Sequence, residues 1–202
     1  MLEIVPAKNE DMIVTILTNY GISKYYRFFG ARDIILQFGH LINFTIDREF
    51  DKDSISKMRS LSLIEFPWLK HVDKRLFWSQ FLKLFYTHVI DIKKVDIFYF
   101  NILLLSIQKW DKSNHKRIIC ESYINILKYE NRLSPLIKCH ICNEVFKDNI
   151  AFIDELKPTH PKCSKSHPIA IKKMVNFFNT KNSIFLSDDE IERLLEIIMR
   201  GF

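Results

Sequence analysis

Apolar and polar positions follow one period over the first third of this chain and another over the rest. Residues 12–18 are β-branched and apolar, Asn19, Tyr20 and Gly21 form a turn, and residues 22–29 alternate, which predicts a hairpin. Residues 34–38 and 40–46 read as a second strand pair hinged near Gly39, and residues 56–66 as a further strand. Five short antiparallel strands in so short a stretch predict a small closed barrel. After Pro67 the period becomes helical: Trp68, Leu69, Val72, Leu76, Phe77, Phe81, Leu84 and Phe85 recur at steps of three and four. Residues 95–110 and 117–129 read as two more helices, the latter with Ile119, Tyr123, Ile126 and Leu127 on one face, and Ser134-Pro135 ends the bundle. Residues 168–179 form a basic helix. Ser187 followed by Asp188, Asp189 and Glu190 is the N-terminal signature of a last one, its acids facing the positive end of the helix dipole.

Between the bundle and the basic helix lie two ligand pairs, Cys139-His140-Ile141-Cys142 and His160-Pro161-Lys162-Cys163, separated by 17 residues. Two-residue spacers let each pair grip a metal from a tight turn, and sulfur and nitrogen donors suit tetrahedral zinc. Four protein ligands close the coordination shell, so the expectation is one structural zinc ion per chain, held by Cys139, Cys142, His160 and Cys163. His140, inside the first pair, and His167, in a looser pair with Cys163, are the rival fourth ligands. The competing reading is two small core cysteines and a histidine capping a turn.

Composition narrows the class. At 202 residues and 48% hydrophobic content the chain can bury a sizeable core, and with 17 Phe against 4 Gly it contains no flexible linker or low-complexity tract. No apolar run approaches the roughly 20 residues of a membrane span, and Met1-Leu2-Glu3 does not open a secretory signal. Three of the four cysteines fall in the metal constellation, which suits a reducing, cytoplasmic setting. The net charge of +6 is uneven: residues 1–66 carry 8 basic and 9 acidic side chains, and residues 67–202 carry 22 and 15. An anionic partner is therefore expected on the later part of the chain. Four scattered glycines leave no phosphate-binding loop, and no Glu sits beside a ligand histidine as a general base, which argues against an ATPase and a zinc hydrolase.

Residues 10–21, Glu-Asp-Met-Ile-Val-Thr-Ile-Leu-Thr-Asn-Tyr-Gly, followed by Phe29-Gly30-Ala31-Arg32 and Leu36-Gln37-Phe38, resemble the first domain of the bacterial recombination protein family RecO. That family opens with an acidic residue before a strand ending in Thr, a turn glycine and a Gly-Ala-Arg, and continues into a helical domain interrupted by a Cys-x-x-Cys pair and a second ligand pair. The resemblance runs in order over essentially the whole chain. His160 stands where the family usually has Cys, and the acid-balanced barrel departs from the family's more basic one.

The resemblance implies an α+β architecture: an N-terminal OB-type β-barrel over 1–66, a helical bundle over 67–137, an inserted zinc ribbon over 138–166, and C-terminal helices over 167–202 packing on the bundle. It implies a DNA repair and recombination accessory factor without catalytic chemistry. Such a protein binds single- and double-stranded DNA, anneals complementary strands and helps load recombinase onto strands coated with single-strand binding protein, in the bacterial cytoplasm at the nucleoid and with no membrane contact; whether it uses a RecR-like partner is left open by the sequence. Lys24, Arg27 and Arg32 on the barrel, and Lys93, Lys94, Lys172 and Lys173 beyond it, are the candidate phosphate contacts. Tyr26 and Phe28 share one strand face and Tyr25 and Phe29 the other, so at most one pair can stack bases. Lys70, Lys74, Arg75 and Lys83 rim the aromatic helix after Pro67 and are expected to receive the acidic, apolar-ended tail of single-strand binding protein. The alternative is a protein-interaction adaptor with a structural zinc site and little DNA binding of its own.

Overall fold

Alternation in residues 1–66 does produce strands, and they sit in the first of two units, Met1–Leu104 and Leu105–Phe202. The structure, a computed structural model, describes residues 1–33, 35–47, 55–92 and 94–201. Strands β1 (Glu3–Pro6), β2 (Met12–Thr18), β3 (Gly21–Arg27), β4 (Ile42–Asp47) and β5 (Lys57–Leu63) form one sheet in the order β1-β2-β3-β5-β4. All neighbours are antiparallel except β3 and β5, which meet in parallel at Tyr26 and Lys57. Val14, Ile16 and Met58 are buried on one face with Met1, Leu36 and Ile42, and Tyr25 packs edge-on against Phe44 at 5.0 Å at the margin of this core.

The sheet is OB-like, but among the described residues β1 and β4 do not pair, so it is open where a closed barrel was expected. The open join follows from limited pairing: β3 meets β5 at one pair, and β4 is bulged against β5 between Asn43 and Thr45. Nor are all the strands antiparallel. The expected strand at 34–38 is absent over its described part: the N–H groups of Leu36 and Gln37 bond locally to Asp33 and Ile35, a turn that drops Leu36 into the core. The fifth strand is instead β1, an edge strand whose Pro6 has no ladder bond to lose on its outer side.

The start of β2 is tied to the turn after β3. The Asp11 carboxylate, 9% exposed, accepts the Phe29 N–H at 2.8 Å and the Tyr26 hydroxyl, and that bond is the main reason the Tyr26 phenol titrates above its usual value. Ala31 N–H donates to the Glu10 carbonyl, and Arg32 pairs with the Glu10 carboxylate. Gly30 is needed for space: a Cβ there would lie 2.8 Å from Met12 Cβ.

Helix α1 (Val72–Val89) follows a 3-10 turn at Pro67–Lys70 and buries Trp78, Phe81, Leu82, Phe85 and Val89. Trp78 Nε1 donates to the Gly39 carbonyl at 3.0 Å and its ring meets Trp68 edge-on at 5.9 Å. Gly39 has φ +84° and lies against the Trp78 ring, so a side chain is excluded there by both conformation and space. Tyr86 donates to Glu3 at 3.0 Å, tying α1 to the sheet margin. Helix α2 (Ile97–Lys109) spans the division between the two units.

In the second unit, α3 (His115–Tyr129) starts at an Asn114 cap and buries Ile119, Tyr123, Ile126 and Leu127. It is followed by β6 (Asn149–Ile153), β7 (Lys157–Thr159), the single-turn α4 (Pro161–Ser164), β8 (Ile169–Ala170), α5 (Ile171–Thr180) and α6 (Asp188–Ile198). The strands make a small antiparallel sheet in the order β7-β6-β8, and α6 packs on α3. Ser187 caps α6 in a capping box with Glu190, and Glu190 also holds Lys173 Nζ at 2.9 Å through both oxygens.

Although burial favours the neutral acid, the Ser187 N–H and Lys173 hold the Glu190 carboxyl below its usual value. A depressed carboxylate stabilises the fold fully above its unfolded value and loses that contribution as pH falls through its folded one. Glu190→Gln is therefore expected to lower stability by about 1–2 kcal/mol at neutral pH. The gap to the parent should close on acidification below the ordinary carboxylate range, read by denaturant melts of both proteins at several pH values.

Candidate metal centre and nucleic-acid surface

The two ligand pairs are presented by two short turns of the second unit. Lys138 bridges to Val145, and the hairpin between them is closed by Cys139 N–H to the Glu144 carbonyl and Asn143 N–H to the Cys139 carbonyl, both at 2.9 Å. Asn143 takes the left-handed conformation at φ 65°, which Asn tolerates. The second pair begins where β7 ends: His160 precedes Pro161 at the first position of α4, and Cys163 N–H donates to the His160 carbonyl at 2.9 Å. His140 N–H donates to the Pro158 carbonyl at 2.8 Å and joins the two turns.

Folded this way, one donor atom from each of Cys139, Cys142, His160 and Cys163 lies within 4.8 Å of the others. Donors about 2.0–2.3 Å from a tetrahedral ion sit roughly 3.5–4 Å apart, so this group can hold one metal ion. The histidine presents Nδ1, which lies 3.3 Å from Cys142 Sγ, and its ring is braced edge-on by Phe146 at 5.0 Å. Cys139 Sγ is buried and accepts the N–H groups of His160 at 3.2 Å and Ile141 at 3.4 Å. Burial raises the Cys139 thiol, but the surrounding N–H groups outweigh it and bring the value down to about 6. Burial and the neighbouring thiols push Cys163 up to about 11. His140 and His167 are exposed and stand outside the group.

The expected phosphate contacts fall into two kinds. Lys24, Lys94 and Lys172 are exposed, whereas Arg27 is held by Asp33 at 2.7 Å, Arg32 by Glu10 and Lys173 by Glu190. Lys93 lies outside the described residues. Of the aromatic pairs, Tyr25 turns toward the core, while Tyr26 and Phe28 stack edge-on at 5.1 Å on the outer side. Lys57 and Arg59 each stand 5.6 Å from the Phe28 ring centre, a basic and aromatic cluster that the sequence pattern does not disclose because β5 brings its cations from 30 residues away. Phe29 stays exposed, with Arg32 5.4 Å from its ring centre.

Most rings of the aromatic helix are core: Trp68, Trp78, Phe81 and Phe85 are all buried. What stays open is a cavity of about 210 Å³ lined by Trp68 and Trp78, with exposed Val72 and Leu76 and with Arg75 at its wall; Lys70 is exposed but does not line it. Lys83 is exposed further along α1, and Lys74 is half-buried with a partner of its own.

Ser substitution at Cys139, Cys142 or Cys163, or His160→Ala, is expected to abolish retention of a metal ion that the parent carries at one equivalent. His140→Ala and His167→Ala should keep it. Metal analysis of protein purified without chelator decides this, and a thermal melt in chelator should show the second unit destabilised.

No curated protein matches this chain. No described helix is long and apolar enough to cross a membrane. Residues 1–69 match the family described as RecO N terminal, a stretch that contains the Asp11 tie, Gly30-Ala31-Arg32 and the whole five-stranded sheet, so the first third of the chain is similar to the N-terminal domain of that family.

Proposed function

We propose that this chain is a recombination-mediator type DNA-repair accessory protein of the cytoplasm. It binds single- and double-stranded DNA, anneals complementary strands, and helps load recombinase onto strands coated with single-strand binding protein, together with a RecR-like partner. The observation that carries the reading is the RecO N-terminal match over an OB-like sheet. Sheets of this kind offer a face along which a nucleic-acid backbone can run while aromatics stack bases. Its role is binding rather than catalysis. The Cys3His group is assigned one structural zinc ion, because sulfur-rich tetrahedral donors favour zinc and four protein ligands leave no open position for water.

The phosphate contacts are assigned to exposed cations of each unit by itself: Lys24 and Lys94 in the first, where Phe28 with Lys57 and Arg59 is the stacking point, and Lys172 in the second. Arg27, Arg32, Lys173 and also Arg59, which Asp47 holds at 2.8 Å, already face acids, so a phosphate would have to compete for them. Replacing Lys94 and Lys172 together by Gln should weaken binding to all sequences and reduce the slope of log affinity against log salt by about 0.7–0.9 for each phosphate that is no longer neutralised. Anisotropy of a labelled oligonucleotide across a salt series measures both. Affinity unchanged in that variant, or negligible in the parent, would favour the adaptor reading.

The tail of single-strand binding protein is assigned to the cavity beside α1, where Val72 and Leu76 would take its apolar end and Arg75 its acids. Titration with a synthetic acidic tail peptide should show affinity falling at least about tenfold in Arg75→Glu. Equal affinity in the two proteins would place the peptide elsewhere.

A further inference from the structure

We propose that the Cys3His group is also an oxidation site, at which a peroxide attacks Cys142 and a Cys142–Cys163 disulfide then closes and expels the metal. The inference rests on the reading of the group as a zinc site. Its basis is that the three sulfurs are unequal. Cys139 is 1% exposed, and its sulfur accepts N–H groups from His160 and Ile141. Hydrogen bonds of this kind withdraw electron density from a metal thiolate and make it a poorer nucleophile, and burial denies an oxidant approach. Cys142 lies at the other extreme, exposed at the hairpin. Its near polar neighbour is His160 Nδ1 at 3.3 Å, a nitrogen that spends its lone pair on the metal when ligated and has no proton to offer the sulfur. Cys163 is intermediate in exposure and lies within the same 4.8 Å cluster.

Metal binding keeps Cys142 as a thiolate, and thiolate character with access decides which cysteine a peroxide meets first. The Cys142 sulfur attacks one oxygen of hydrogen peroxide: an S–O bond forms, the O–O bond breaks, and hydroxide leaves and is protonated to water. The Cys163 thiolate then attacks the sulfur of that sulfenic acid. An S–S bond forms, the S–O bond breaks, and a second hydroxide departs as water. Two electrons have passed from the two thiolates to the peroxide. Cys139 and His160 remain as the only ligands, too few to hold the ion. A thiol reductant reverses the disulfide and restores the four donors.

The test begins with metal analysis of the full chain, followed by hydrogen peroxide in the presence of a chromophoric zinc chelator and mass-spectrometric mapping of disulfides after alkylation. The expected result is one zinc released per chain, a Cys142–Cys163 disulfide, and Cys139 alkylated as a free thiol. Cys142→His, which keeps four ligands, should slow release at least about tenfold. Cys163→His should stop at a Cys142 sulfenic acid trapped by dimedone. A first disulfide that includes Cys139, or peroxide-treated protein that keeps both zinc and free Cys142, overturns the proposal and leaves the zinc reading intact. A chain that holds no zinc before peroxide overturns the zinc reading, and this proposal falls with it.

Discussion

The buried carboxylate of Asp11 is the constraint on which the first unit depends. A carboxylate at 9% exposure is costly to bury unless its oxygens are used, and here one takes the Phe29 N–H and the other the Tyr26 hydroxyl. Those two bonds fix the start of β2 against the turn after β3. The turn in turn requires Gly30, because Met12 leaves no room for a Cβ, and it places Arg32 beside Glu10. Acid, glycine and arginine are thus one junction seen at three positions, which is why they occur as a set in the stretch that matches the RecO N-terminal family.

The second unit is organised around a different kind of tie. Its small strands are too short to be stable by pairing alone, and two turns separated by 17 residues converge through the His140 N–H to Pro158 bond and the four donors. A metal held there would add free energy to these two turns, beside a sheet whose Ile150, Ala151 and Phe152 are buried. The helices of the same unit rest on ordinary burial, with α3 and α6 sharing an apolar face and Glu190 serving cap and ion pair at once.

Much of this was legible in the chain. The 3.6-residue period after Pro67, the Ser187 cap and the Cys139/Cys142 and His160/Cys163 spacing are local signals, and local signals survive folding because the residues that answer them are neighbours. Two things were not. Closure of the barrel depends on the β3–β5 and β4–β1 joins, whose partners are distant in sequence and leave no periodic mark; β1, with four residues and a proline, has too little pattern to declare itself. The electrostatic surface also differs in kind from what charge along the chain suggests. A count of basic residues treats Arg27, Arg32 and Lys173 as free charge, yet each is answered by an acid that folding brings within reach. Meanwhile Lys57 and Arg59, the latter itself paired with Asp47, gather at Phe28 from another strand.

The burial of the tryptophans bears on how this protein can be watched. Trp68, Trp78 and Trp110 are the three in the chain, and all are at most 3% exposed. Their emission should be blue-shifted, insensitive to aqueous quenchers, and silent toward anything that binds the outer face of the sheet. The same emission should shift sharply on unfolding, and Trp68 and Trp78 report on the first unit while Trp110 reports on the second. Intrinsic fluorescence is therefore a meter of integrity for each half of the molecule, and occupancy of the outer face of the sheet has to be read from a label on the ligand, whereas a peptide in the cavity lined by Trp68 and Trp78 would touch two of the reporters.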